Sequence, residues 1–514
     1  MEDLNKGSYQ LRKKNMAISI SALFINAIAY LLYVLIFPVN SSKGLSDMVF
    51  LMSWIGIFIA IYIFRSWYKL TGTIFSLYTI FIFFYFLFNY GQCIMWALGV
   101  HIPSEIGMEP VYPGYNTPSK GNIISGQIVT CMCILMFHLG SLFCYKPRRV
   151  RDKALEAEGH KVRNTLTLKA IFNTSVIIGI FSIPIKLYDA VSSFKIATQY
   201  GYNALYYSEF ADKGIGISTI GNMLFFSSLI GLLIGSEYNK KIRLFVYFTF
   251  GFYLLLNLLA GDRGSWVYKI VLLVWLSHVC YKPLNFRAML KYTVLSFIGF
   301  YIIGAIVSLR KLGLSNITMD DFLKSFSFEN SPIVLTIFEM GGSMRVLLML
   351  LMYGWDVWPY TNTYLLGILG MVTNKIIYIL DLPFSLVSSW FSQKYLNISW
   401  GAGFSIVAEA VLNVGPFFAP MVMMVIGYLM TSMMYLNGKA DYRKNPLHFI
   451  FAVSTLHTFL PVTRGFFHLL LKDWFYGVLL YIVLVLLVRF FLVNFTKKYK
   501  LAYNSSILTK DKQL

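Results

Sequence analysis

Charged residues are scarce in this chain. Only 13% of its 514 residues are Asp, Glu, Lys or Arg, whereas 57% are hydrophobic. A globule of this composition in water would expose large apolar patches, so a soluble enzyme is excluded. Acidic residues are especially few, since 44 Lys and Arg outnumber 23 Asp and Glu and give a formal net charge of +21.

Cysteines and metal-binding motifs are also few. The sequence has five cysteines, and the spacing of Cys131 and Cys133 is wrong for a zinc ribbon. We therefore expect neither a disulfide nor a cysteine-based metal site. No Asp-rich motif and no His-Glu-x-x-His pattern points to another metal, and we expect no cofactor.

Long apolar runs fill most of the chain. Each is roughly 17 to 25 residues long, which is enough to cross a bilayer as a helix. The runs are continuous rather than alternating, which favours helices over strands. The sequence predicts an all-α, polytopic integral membrane protein with about 12 transmembrane helices. The predicted spans are 17–38, 47–64, 72–90, 124–144, 168–187, 216–236, 243–259, 265–280, 292–308, 415–435, 447–461 and 474–492.

The basic residues are distributed unevenly among the loops. Most of them fall on one side of the predicted membrane, in segments such as 12–14, 146–163 and 497–500. Because Lys and Arg cluster in cytoplasmic loops, both termini are predicted to be cytoplasmic. Nucleic-acid binding is not expected, because the longest cytoplasmic loop, 145–167, is short and nearly without aromatic residues.

This topology gives a single integral membrane domain, 1–514. Residues 1–308 form nine transmembrane helices, 309–414 a long exoplasmic segment, 415–492 three further helices and 493–514 a basic cytoplasmic tail. The exoplasmic segment is too apolar for a free loop, so we expect interfacial or re-entrant helices there. Such a segment suits a substrate with one apolar end and one polar end.

Arg263 is the most informative basic residue on the predicted outer face. It lies in the tetrapeptide Gly261-Asp-Arg-Gly264 between two apolar runs. The topology rule disfavours positive charge outside, which favours a specific role for this side chain. The alternative is a local pair with Asp262 or snorkelling at the interface.

Three further basic residues lie on the same predicted face. Arg310 and Lys311 end the ninth helix, and Arg345 follows Gly341-Gly-Ser343. We assign all three to substrate binding. Interfacial anchoring is the alternative for the first two, and an ordinary surface position is the alternative for Arg345.

One helix face near the end of the exoplasmic segment is polar. Ser405, Glu409 and Asn413 are spaced four residues apart in an apolar stretch, so they form one stripe on a helix. A carboxylate on such a stripe faces protein or water rather than lipid. We predict that Glu409 is a general base or a charge partner of an arginine, and a structural contact between helices is the alternative.

The last outer loop carries a second polar stripe. Thr463 is expected to cap a short helix on which Arg464, His468 and Lys472 share a face. These groups favour anion binding, with snorkelling as the alternative. The arginine fork suits a lipid-linked pyrophosphate and stabilises a leaving group without a metal. Sugar stacking is assigned to four aromatic residues: Trp355, Trp358, Tyr360 and Trp400.

At these positions the chain resembles the Wzy-type polymerases of bacterial O-antigen and capsular polysaccharides. The resemblance covers residues 240–490, and the first 240 residues match by hydropathy. It is carried by Gly261-Asp-Arg-Gly264, Leu309-Arg-Lys-Leu-Gly313, the run from Gly401 to Glu409 with Asn413 and Gly415, and Thr463-Arg-Gly465.

The resemblance implies a glycosyltransferase of the bacterial cytoplasmic (inner) membrane. It would join undecaprenyl-pyrophosphate-linked oligosaccharide repeat units in the outer leaflet by transferring the growing chain onto the incoming unit. A repeat-unit flippase and a chain-length regulator would be its partners.

The same resemblance assigns roles to the outer-face residues. Arg263, Arg310 and Arg464 would stabilise the departing pyrophosphate, and Glu409 would deprotonate the acceptor or orient an arginine. The remaining substrate contacts would be Lys311, Arg345, His468, Asn413 and Asp262, the last being a poor base beside its arginine.

Two other functions stay open. One is an O-antigen-ligase-like lipid-sugar transferase, which would use the same donor with a different acceptor. The other is a lipid-linked oligosaccharide flippase or transporter. Transporters usually place ionisable groups at mid-membrane, whereas these charges are predicted at the outer ends of helices, which favours chemistry at the surface.

Overall fold

The computed structural model describes residues 2–36, 44–100, 106–108, 111–145, 158–200, 217–260, 266–285, 332–436 and 442–494, with a few positions between 287 and 298. Within these residues every regular element is helical and none is a strand. Nine of the described helices are long and apolar enough to cross a membrane. The prediction of an all-α, polytopic chain is confirmed at this level.

The helices follow the predicted apolar runs. The first eight are α1 (Glu2–Ile36), α2 (Gly44–Thr71), α3 (Leu77–Ala97), α4 (Lys120–Cys144), α5 (Glu158–Tyr200), α6 (Ile217–Gly235), α7 (Lys240–Ala260) and α8 (Val267–Cys280). They are followed by α9 (Pro332–Gly341), α10 (Met344–Tyr353), α11 (Thr363–Gly370), α12 (Ile406–Met434), α13 (Pro446–Phe459) and α14 (Phe467–Trp474).

Two predicted spans correspond to helices that are not among the nine. These helices are α1 and the 14-residue α8. The predicted span 292–308 lies outside the described residues except at isolated positions. The last span is a helix from Phe467 to Asn494 that includes a π-helical stretch, Phe475–Leu480.

The chain divides into two compact units. The first comprises Met1–Arg149, Leu284–Gly438 and Phe459–Lys472, and the second comprises Val150–Pro283, Lys439–Thr458 and Asp473–Leu514. Every predicted site residue that the structure describes belongs to the first unit.

Helices α4 and α12 pack closely in the first unit. A Cβ on Gly140 of α4 would overlap the backbone carbonyl of Met424 in α12. Beside this contact, the Thr431 hydroxyl lies 2.8 Å from Ser141 Oγ. Small and hydroxyl-bearing residues let membrane helices approach in this way. The contact holds the C-terminal part of α12 against the centre of the unit.

Helix α12 begins at a side-chain cap and breaks after nine residues. The Ser405 hydroxyl accepts a hydrogen bond from the Ala408 N–H at 3.1 Å, which caps the first turn. Gly415 has φ 79° and ψ 167°, which is not helical, and Pro416 follows it. The break separates a short arm, residues 406–414, from the longer part, and the predicted span 415–435 begins there.

Between 332 and 405 the described residues form short helices joined by non-helical stretches. Helices α9 and α10 have 10 residues each and α11 has 8. A π-helical stretch, Trp390–Tyr395, follows later in the segment. Interfacial or re-entrant helices were expected for this part of the chain, and the described residues include short helices. Their position in the membrane interface stays a prediction.

The second unit contains the long helix α5, which packs on α6 and α7. Ser175 of α5 and Tyr481 join their hydroxyl groups at 2.7 Å. Lys269 lies within α8, and its ammonium donates to the Tyr253 hydroxyl at 3.3 Å.

Candidate functional site

Glu409 lies at a junction of three helices in the first unit. Its side chain is fully buried in the first turn of α12. One carboxylate oxygen, Oε1, accepts a hydrogen bond from the Thr363 hydroxyl at 2.7 Å, at the start of α11. The other, Oε2, accepts from the backbone N–H of Phe467 at 2.7 Å, where α14 begins. A carboxylate at two helix N-termini complements their dipoles.

Asn413 completes this junction one turn further along α12. Its Oδ1 accepts from the Thr363 N–H at 2.8 Å, and its Nδ2 donates to the Thr363 hydroxyl at 2.6 Å. The predicted stripe is therefore confirmed as a stripe that faces protein. Ser405 belongs to it in sequence, but its hydroxyl caps the helix instead of joining the network.

The surroundings of Glu409 distinguish between its predicted roles. Both of its oxygens are engaged, and among the described residues its hydrogen-bond partners are Thr363 and Phe467 rather than an arginine. A group with this geometry holds α11 and α14 in place. These contacts correspond to the structural alternative, and the roles of general base and of charge partner stay predictions.

Arg464 does not share a helix with His468 and Lys472, so the prediction of one stripe is wrong for Arg464, whereas His468 and Lys472 lie four residues apart on α14. Thr463 donates its hydroxyl proton to the Leu460 carbonyl within a 3-10 helix, Leu460–Arg464, and does not cap the next helix. The α-helix begins only at Phe467, where Glu409 supplies the cap. The 3-10 turn changes the direction in which Arg464 projects relative to the later residues.

Arg464 and His468 consequently have different environments. Arg464 is exposed, and its guanidinium carbon lies 6.0 Å from the centre of the Phe88 ring. His468 is buried, with Nδ1 at 3.3 Å from the Leu366 carbonyl of α11 and its ring at 5.0 Å from that of Phe384. Of the two, only Arg464 is accessible to an anion from outside.

Arg345 is fully buried, so the surface alternative is wrong for this residue. Its guanidinium donates to the carbonyls of Gly107 at 2.7 Å and Asn116 at 3.1 Å. Its Nε has no hydrogen-bond partner among the described residues. The residue therefore ties α10 to the segment between α3 and α4 while keeping a positive charge inside the protein.

Tyr112 lies beside this charge and was not predicted from the sequence. Its ring centre is 5.4 Å from the Arg345 guanidinium carbon and 5.7 Å from the Trp400 ring. Its hydroxyl is buried without a hydrogen-bond partner among the described residues. Burial raises the pKa of Tyr112 well above 10, and the charges of Arg345 and Arg464 lower it in part. The positive charges of Arg345 and Arg464 therefore both act on the buried Tyr112 hydroxyl.

A cleft of about 240 Å³ opens beside α12. It is lined by Trp355, Asp356, Trp358, Tyr360, Asn362, Leu412 and Asn413. Three of the four residues assigned to sugar stacking thus share one cleft, whereas Trp400 packs on Tyr112. Their contact with sugars stays a prediction.

Sequence reasoning missed three residues of these sites. Asp356 carried a usable signal, because it stands in the aromatic run Trp355-Asp-Val-Trp-Pro-Tyr360. Thr363 and Tyr112 carried none, since each is defined by partners that are distant in the chain.

Asp262, Arg263, Arg310 and Lys311 lie outside the described residues, so their roles stay predictions. In the part of the chain that the structure does describe, no three His, Cys, Asp or Glu side chains are grouped as metal ligands would be.

The nine described apolar helices of membrane length indicate a multi-pass membrane protein. The family model described as O-antigen polysaccharide polymerase Wzy matches residues 17–498. The chain therefore belongs to this family of membrane polymerases, and the resemblance inferred from the sequence is confirmed. No curated protein and no solved structure gave a significant match.

Proposed function

We propose that this protein polymerises oligosaccharide repeat units carried on undecaprenyl pyrophosphate, at the outer face of the bacterial cytoplasmic membrane. The family match over residues 17–498 carries the proposal. The growing chain moves from its carrier onto the incoming unit. Twelve spans, cytoplasmic termini and an exoplasmic segment at 309–414 belong to the proposal, supported by the distribution of Lys and Arg.

The proposed reaction is a glycosyl transfer with pyrophosphate as the leaving group. A hydroxyl at the non-reducing end of the incoming unit attacks the anomeric carbon of the growing chain. The new carbon–oxygen bond forms as the bond to pyrophosphate breaks, and the electron pair leaves with undecaprenyl pyrophosphate. Because negative charge develops there in the transition state, cations at that position contribute most to the rate.

Arg464 is the described residue best suited to this role. Its guanidinium is exposed at the end of a 3-10 helix, and its planar fork can bind two phosphate oxygens. Arg345 adds positive charge from a buried position beside the Tyr112 phenol, on which the charge of Arg464 also acts. We assign Arg263, Arg310 and Lys311 to the same pyrophosphate, and these cations take the place of a metal.

The other predicted residues have positioning roles in this proposal. Glu409 fixes the starts of α11 and α14, and Asn413 acts with it through Thr363. His468 of α14 contacts the Leu366 carbonyl of α11. Asp262 orients the neighbouring Arg263.

In the cell, the proposed partners are the lipid bilayer and the lipid-linked oligosaccharide itself. A repeat-unit flippase supplies the substrate at the outer face, and a chain-length regulator sets how far the polymer grows. Nucleic acid is not among the partners.

Purified protein tests this function directly. The protein in detergent is supplied with lipid-linked repeat units extracted from its host, with chelator and without nucleotide sugar, and the products are separated on a gel. A ladder in the wild type that Arg464→Ala and Arg263→Ala both eliminate supports a polymerase with both arginines in its site. A single unchanged band from folded protein contradicts it and leads to ligase and flipping assays.

A further inference from the structure

The cleft beside α12 differs in chemistry from the cationic residues. Among the described residues that line it, Asp356 is the only charged one. Lys394 donates to the Tyr360 hydroxyl at 2.7 Å, but it is not part of the lining. A carboxylate repels pyrophosphate and so disfavours its binding. Aromatic faces beside amide and carboxylate groups instead suit a sugar ring, which carries hydroxyls.

The aromatic walls of the cleft are fixed by their own contacts. The Trp358 indole donates to the Thr361 carbonyl at 2.9 Å. Its ring lies edge-to-face with Tyr360 and with Trp390, at 4.9 Å in each case. The faces of these rings are therefore set before a ligand enters, which lowers the entropic cost of binding.

Trp355 packs against the break in α12. A Cβ on Gly415 would lie 3.1 to 3.3 Å from atoms of the Trp355 indole. The absence of a side chain at Gly415 thus lets this ring pack directly on the backbone. The volume of about 240 Å³ is below the roughly 300–1,000 Å³ of most ligand pockets, so it suits one or two sugar rings.

Asp356 differs from Glu409 in being free to react. It is exposed, and it makes no hydrogen bond or ion pair with another described residue. Both oxygens of Glu409, in contrast, accept hydrogen bonds at 2.7 Å. A free carboxylate in contact with water can take a proton from a hydroxyl and pass it to solvent.

We propose that this cleft binds the terminal sugar of the incoming repeat unit and that Asp356 accepts the proton of the attacking hydroxyl. The catalytic half of this inference rests on the proposed function. As the hydroxyl oxygen bonds to the anomeric carbon, its proton moves to the Asp356 carboxylate. The bond to pyrophosphate breaks with its electron pair on the leaving group, and Asp356 then releases the proton to water.

Binding can be measured without polymerisation. The probe is the repeat-unit oligosaccharide released from the host carrier by mild acid, titrated against full-length protein in detergent and followed by saturation-transfer NMR. We expect wild type and Arg464→Ala to bind it equally. Trp355→Ala and Trp358→Ala should weaken binding by about tenfold, the equivalent of about 1.4 kcal/mol. Trp54→Ala, which removes a half-buried tryptophan far along the chain, is the matched control.

The catalytic half is tested by the rate of ladder formation. Asp356→Asn should lower kcat by about 10²- to 10⁴-fold, since an amide cannot take the proton. Its affinity for the released oligosaccharide should change by less than about threefold, because the amide keeps an acceptor oxygen. Asp381→Asn is the control, an exposed carboxylate at φ 52° in the same segment, where asparagine fits well.

The outcomes separate this inference from the proposed function. Unchanged binding in folded Trp355→Ala and Trp358→Ala overturns the sugar site. A wild-type rate in Asp356→Asn overturns its role as the base, while polymerase activity stands. Wild type that binds the oligosaccharide and forms no ladder refutes the polymerase, and the base with it, but supports the cleft as a sugar site.

Discussion

Replacing Glu409 tests whether this carboxylate positions the site or takes part in chemistry. Glu409→Ala leaves two donors without an acceptor, the Thr363 hydroxyl and the Phe467 N–H. Each buried group left unsatisfied costs about 1–3 kcal/mol, so the free energy of unfolding should fall by about 2–6 kcal/mol. The loss of negative charge at the start of α14 adds about 0.3–1 kcal/mol.

Glu409→Gln is the informative partner of the alanine variant. The amide oxygen can still accept from the Phe467 N–H, and the amide nitrogen can donate to the Thr363 hydroxyl, which has two acceptor sites. Only the hydroxyl proton of Thr363 loses its acceptor. We therefore expect a loss of about 1–2 kcal/mol in stability and a polymerisation rate within about threefold of wild type.

Thermal unfolding in detergent and the initial rate of ladder formation measure the two effects. Asp381→Asn, at an exposed carboxylate of the first unit, is the control and should change unfolding by less than about 0.5 kcal/mol. A general base replaced by an amide loses about 10²- to 10⁴-fold in rate. A loss of that size in a stable Glu409→Gln protein would refute the positioning role, and a stable Glu409→Ala protein would refute the hydrogen-bond reasoning.

Three further substitutions test the site. Arg464→Ala should abolish long chains in the gel assay and leave thermal unfolding unchanged. Arg464→Lys should restore little activity, because the planar fork is lost. Normal polymer in the alanine variant would remove this residue from the site. Arg345→Met leaves the carbonyl of the buried Gly107 without its donor, whereas the carbonyl of the exposed Asn116 can turn to water. It should destabilise the protein by about 1–3 kcal/mol in thermal unfolding, so an unchanged unfolding curve contradicts its structural role. Gly415→Ala places a Cβ against Trp355 at a residue with φ 79°. It should lower the free energy of unfolding by about 1–3 kcal/mol and raise KM for the incoming unit more than it lowers kcat. An unaltered KM argues against the cleft as the site of that unit.

The class of the protein and most of its helices follow from local sequence alone. Continuous apolar runs require helices in a bilayer whatever their partners are, because each helix satisfies its own backbone. The stripe of Glu409 and Asn413 was visible for the same reason, since a spacing of four residues puts side chains on one helix face. The start of a span at 415 coincides with the break at Gly415, where Pro416 gives a local signal.

The contacts of those side chains, in contrast, depend on how the helices pack. Glu409 was predicted to be a general base or the charge partner of an arginine, and its described hydrogen-bond partners are Thr363 and Phe467 from other helices. Arg464 and His468 were expected on one helix face, but Arg464 ends a 3-10 helix and His468 lies in the α-helix that follows. Arg345 is buried against Gly107 and Asn116. Local spacing fixes the face of a helix, whereas burial and hydrogen-bond partners depend on residues hundreds of positions away.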